Sequence, residues 1–205
     1  MELNEELTAQ DSLRVITETL NNSRKEIIRR SGRYFIIWGA LLTFFSLLVH
    51  LLWKTTGHAA WNNLWFAMPA VGFPLAKWLG SKDQVEKAEN IVTQTLHGIW
   101  LSFCIFACGV AVFSLLYGLV GTNAIGNIVV GASMTAQIVL LFGLAETITG
   151  FVLKNWVIKL AGILTGIGGV IVYYVTGTTK EQMLIFTLAG IVLVATGLLV
   201  KRINQ

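Results

Sequence analysis

Six apolar runs alternate with short polar patches along the chain, at about 34–53, 64–79, 96–120, 128–153, 156–175 and 183–200. About 20 apolar residues suffice for a helix to cross the hydrocarbon core, so each run predicts a membrane span, the second somewhat short. Pro69, Gly72 and Pro74 fall in that second run and predict a kinked or broken helix, because proline removes a donor and crowds the preceding turn. A different pattern precedes the runs. Leu13, Ile16, Leu20 and Ile27 recur at spacings of three, four and seven, which puts them in one narrow stripe of a helix over 8–31. Arg14, Glu18, Lys25 and Glu26 occupy its other face, and Thr8 with Asp11 three residues later suits its start. The expected fold is all-α and polytopic: a six-transmembrane-helix bundle of three in-out-in hairpins behind an N-terminal cytoplasmic amphipathic helix. The domains are then 1–33, a membrane domain over 34–200 and a short tail over 201–205.

Small residues recur within the runs. Gly143-x5-Thr149-Gly150-x3-Lys154 matches Gly190-x5-Thr196-Gly197-x3-Lys201, and Tyr117-x3-Gly121-Thr122 matches Tyr173-x3-Gly177-Thr178. Each copy ends a hairpin in the same sense, which predicts a parallel internal repeat.

Composition agrees with a bilayer environment. Apolar residues make up 55% and charged residues 13% of the 205, with a mean hydropathy of +0.69. That charged fraction is about half that of ordinary globular chains. Placement says more than the net charge of +4. With the N-terminus inside, thirteen Lys and Arg residues fall on the cytoplasmic side, while only Lys54 and Lys180 fall outside. The positive-inside rule therefore predicts a bacterial inner-membrane protein with both termini cytoplasmic. Trp53, Trp61 and Trp65 would mark the outer interface and Trp78 and Trp156 the inner one. The acidic, polar start predicts no cleaved signal peptide, so the first span would serve as its own targeting signal. Arg24, Lys25, Arg29, Arg30 and Arg33 stand just before the first span, where they would attract anionic lipid headgroups.

The opening of span 1, YFIIWGALL, and the segment FGLAETITGFVLKNWVIKLAGIL resemble a group of small six-span bacterial inner-membrane proteins. The resemblance covers most of the chain and carries no catalytic motif. More distantly, the Gly-x6-Gly spans with basic ends are similar to the short repeat of HdeD-like acid-resistance membrane proteins. Both likenesses imply architecture, and neither implies a reaction.

Glu146 is the residue that needs explaining. It lies eight residues before Lys154, about 12 Å inside the cytoplasmic end of span 4 at 1.5 Å per residue. Gly143, Glu146 and Gly150 share a helix face that Ala132, Ala136 and Val139 extend, a close-packing face directed at another helix. Thr43 and Thr165 stand at similar depth, and Lys159 is within reach from nearer the interface. Three readings stay open: a carboxyl that holds helices together, a proton-relay or solute site, and a lipid-facing residue that snorkels inward.

His97 with Gln94 is expected near the inner interface, and His50 and His58 with Trp61 near the outer one, where aromatic belts also collect. Cys104 and Cys108 share a face but are only two thiols, so no metal site is expected. Phosphate-binding loops, His-Glu-x-x-His and nucleophile elbows are all missing from the sequence. The resulting expectation is a non-enzymatic interaction or regulatory component without a cofactor. Its partners would be the lipid bilayer and a cytosolic or membrane protein, a second copy included, and not nucleic acid. The alternative is a small-solute or proton-coupled transporter or channel built on Glu146.

Overall fold

The computed structural model describes residues 9–80, 91–120, 134–176 and 181–203. Regular structure among them is entirely helical, without strands. Helix α1 spans Ala9–Thr56, a 3₁₀ helix Ala59–Phe66, α2 Ala67–Gly80, α3 Ile91–Val120, α4 Met134–Val152, α5 Trp156–Thr176 and α6 Met183–Ile203. Four of them, α1, α3, α4 and α6, are long and apolar enough to cross a membrane. The stretch expected as a second span divides between two helix types. Its first residues lie in the 3₁₀ helix, and the α-helical part has 14 residues, about 21 Å.

The amphipathic segment and the first span form one helix of 48 residues, about 72 Å long. No proline interrupts it, and its two glycines, Gly32 and Gly39, cost only about 1 kcal/mol each. Both are also where another helix approaches. α1 packs most extensively on α6, and α4 on α5. In the first pair Gly32 faces Gly197 and Gly39 faces Gly190, so the helices are antiparallel. A Cβ on Gly39 would stand 2.7 Å from the carbonyl oxygen of Gly190 and 2.8 Å from the backbone nitrogen of Val194. Only hydrogen fits between these backbones. Toward the far end of the pair, the Ser46 and Thr187 hydroxyls share a buried hydrogen bond of 2.8 Å.

The second pair uses the same device. Gly143 lies against Gly162 and Gly166, Gly162 against Thr147, and Gly150 against the backbone of Lys159. Its corner is compact: Asn155 N–H donates to the Gly150 carbonyl at 2.9 Å and Lys154 N–H to that of Phe151 at 3.1 Å. Lys154 takes the left-handed conformation, φ 54°, that such helix ends require. The Asn155 side chain then accepts from the Val157 and Ile158 amides at 3.0 and 3.2 Å, capping α5. Thr149 and Thr196, which match in the two similar sequence segments, behave alike, each bonding the carbonyl four residues back at 2.8 Å. Tyr117 lies in a described helix, but Gly121, Thr122, Gly177 and Thr178 lie outside the described residues.

α3 joins the bundle through a ring cluster of Trp100, Phe103 and Phe142, with centroids 5.6–5.9 Å apart. Its most apolar stretch has no buried residues. The main apolar core gathers Ile28, Phe35, Leu153, Val157, Ile158, Leu193 and Val200. It lies toward the end of the bundle where α1 carries its basic cluster.

Candidate functional site

Glu146 sits on α4 two turns before the corner, one helical step from the glycines that meet α5. Its side chain has no exposed surface. Neither carboxyl oxygen has a hydrogen-bond partner among the described residues, and the same holds for the Thr165 hydroxyl on α5. Register fixes their relative levels. Gly143 faces Gly166, so Thr165 lies at about the level of Gly143, three residues from Glu146. Side chains on a helix lean toward its N-terminus, which carries the carboxyl in that direction. Of the expected surroundings, then, Thr165 is buried like Glu146, on the helix that α4 packs against, and the two are not hydrogen-bonded.

The other expected companions are committed elsewhere. Thr43 lies against Gly190 in the seam between α1 and α6, and its hydroxyl donates to the Gly39 carbonyl at 2.8 Å. Lys159 holds its ammonium 5.0 Å from the Phe151 ring centroid, on the exposed side of the α4–α5 pair. Two shallow surface grooves do not reach Glu146: one lies along Asn22, Lys25, Glu26 and Arg29, the other between α1 and α6. The acid is enclosed in packed helix.

The basic cluster does structural work that its sequence did not announce. Arg24 donates from Nε to the Val152 carbonyl at 3.0 Å, and Arg33 from a terminal nitrogen to the Leu79 carbonyl at 3.4 Å. Each therefore places a cation on the carbonyl-rich C-terminal end of another helix, where the helix dipole is negative. Arg29 and Arg30 both donate to Glu26, at 3.0 and 2.7 Å. Those bonds, Arg29 first and then Arg30, hold the Glu26 carboxyl below the usual carboxylate range. Lys25 is exposed. The only sequence signal for these roles was an excess of cations before a span, which does not say which carbonyl each will reach.

At the other end of α1, Trp61 donates its indole N–H to the Thr56 hydroxyl at 2.8 Å, and the His58 amide donates to the same oxygen at 3.3 Å. His58 is exposed beside them, and His50 is half-buried on α1. The Trp65 ring meets that of Phe186 at a tilt of 56°, centroids 4.9 Å apart, which ties the 3₁₀ helix to the start of α6. His97 and Gln94 are both exposed on α3, as are the free thiols of Cys104 and Cys108. The described residues contain no group of three or more His, Cys, Asp or Glu able to hold a metal ion.

Pro69, Gly72 and Pro74 all lie within α2, which continues through them; the change of helix type comes earlier, at Phe66–Ala67. Pro69 sits in the first turn, where its missing N–H has no intrahelical partner to lose. Gly72 lies under the Trp38 indole, which leaves 2.6 Å for a Cβ, and Trp38 also meets Phe73 edge-on at 5.3 Å. The glycine makes room for α1.

No family model, curated protein or solved structure matches this chain. The geometry must carry the functional reading.

Proposed function

We propose that the chain is a six-span bacterial inner-membrane protein with both termini in the cytoplasm, acting as a non-enzymatic interaction or regulatory component. It engages a protein partner through the free tip of α1. The observation that carries this reading is how the apolar stripe of α1 is divided. Ile27 and Leu20 are partly buried against the core, whereas Leu13, Val15 and Ile16 are 64%, 49% and 55% exposed. A helix that spends half its apolar face on its own bundle and offers the other half beyond it has the form of a helix-in-groove ligand.

Support for the topology comes from one end of the bundle. The C-terminal ends of α2 and α4 receive Arg33 and Arg24, and Gly32 lies beside Lys201 on α6. This gathers the basic residues on one side, as the positive-inside count requires. The matched roles of Thr149 and Thr196, and of Gly143, Gly150, Gly190 and Gly197 at helix contacts, favour an internal repeat.

A photo-crosslinking residue at Leu13 in cells should capture one dominant partner, and the adduct should disappear in Ile16→Glu. The bundle's thermal unfolding should be unchanged by that substitution. No adduct, or an adduct indifferent to Ile16→Glu, refutes the reading.

The unpartnered Glu146 carboxyl and Thr165 hydroxyl favour a second reading, coupled transport of protons or small cations. A carboxyl enclosed by apolar packing must carry a proton or a counter-cation to remain there. Protein reconstituted in liposomes should then pass protons or monovalent cations, with flux lost in Glu146→Gln. Flux no greater than that of empty liposomes retires this reading.

A further inference from the structure

The groove between α1 and α6 has a composition and a setting that identify its occupant. Ala40, Thr43 and Phe44 form one wall and Ile191, Val194, Ala195 and Leu198 the other of a shallow, open groove of about 560 Å³. It exists because the glycine contacts draw the two backbones together while Phe44 and Leu198, both exposed, stand up on either side. Followed toward the basic end of the bundle, both walls run into cations. On α6, Arg202 is one turn beyond Leu198, with Lys201 beside it, and both are exposed. On α1, Arg29 lies eleven residues before Ala40, three helical turns and so in line with it. Gly32 abuts the Lys201 backbone, which brings the two basic groups to the same level. Glu26 accepts from both Arg29 and Arg30, leaving that trio net positive.

We propose that this groove is a binding site for one anionic phospholipid. An acyl chain lies along Ala40, Phe44, Ala195 and Leu198, and the headgroup phosphate is held by Lys201 and Arg202 with Arg29. The proposal rests on the membrane reading of α1 and α6. A neutral lipid would satisfy the apolar walls equally well; the cations at one end select for negative charge.

The test uses full-length protein in nanodiscs of equal parts phosphatidylglycerol and phosphatidylcholine, released for native mass spectrometry. Reconstitution into discs checks the membrane reading separately from the lipid site. Wild-type protein should retain phosphatidylglycerol preferentially. The exposed pair Lys201→Gln/Arg202→Gln should weaken that retention by about thirtyfold, two cations' worth of surface attraction. Ala195→Phe, which fills the groove, should reduce retention of both lipids, whereas Lys77→Gln, an exposed cation on α2 away from the groove, should change neither. Undiminished phosphatidylglycerol retention in Lys201→Gln/Arg202→Gln overturns the proposal. An equal loss in Lys77→Gln overturns it too, since any basic residue would then serve.

Discussion

Lys154 shows how much one residue's backbone can decide. It holds φ 54° at a position where glycine is the usual choice, because a Cβ there crowds the backbone. The left-handed conformation costs an L-residue roughly 1–2 kcal/mol, partly returned here by a cation at a helix C-terminus. Lys154→Gly should therefore raise stability by up to about 1 kcal/mol, after allowing for glycine's greater freedom in the unfolded chain. Lys154→Ile, branched at Cβ, should lower it, and thermal unfolding in detergent reads both. The sequence marks Lys154 only as a basic span end, since nothing local tells a left-handed lysine from a helical one. Glu146 was more legible. Its neighbours at three and four residues are glycines, which implied a face against another helix, and its side chain is fully buried. What surrounds the carboxyl was not legible, because a helix face does not name its opposite number.

At the scale of elements, the seven-residue glycine spacing organises the packing. It occurs at Gly32 and Gly39, at Gly143 and Gly150, and at Gly190 and Gly197. A spacing of seven is two turns, so each pair lies on one stripe that an antiparallel helix can follow. Gly39→Val should destabilise the bundle by about 2 kcal/mol or more, since the neighbours it meets are backbone atoms that cannot rotate away. Gly109→Ala on α3, with nothing within 4 Å, should not lower stability and should raise it by up to about 1 kcal/mol through helix propensity. Equal effects in the two variants, measured by thermal unfolding, would contradict close backbone packing as the source of the α1–α6 contact. The spacing was visible in sequence; the pairing was not, because four helices carry the same stripe, α5 with Gly162 and Gly169 included, and any two of them could have met. The break expected in span 2 was likewise misplaced. Pro69, Gly72 and Pro74 suggested a break, yet Gly72 serves the Trp38 indole and the helix type changes upstream of all three.

For the whole molecule, the all-helical, membrane-like character followed directly from the apolar runs, because transfer into hydrocarbon depends on each residue's own side chain. The joints between distant parts did not. The Arg24–Val152 bond links positions 128 apart and the Arg33–Leu79 bond positions 46 apart, and no local pattern encodes either. The same long-range packing turned half of the N-terminal stripe inward and left Leu13 and Ile16 outward, although all four stripe residues look alike in sequence.

The unbroken length of α1 has a mechanical meaning. The exposed tip near Leu13 and the glycine seam against α6 belong to one continuous rod, tied at Arg24 to the end of α4, so a shift of the tip is felt at both joints.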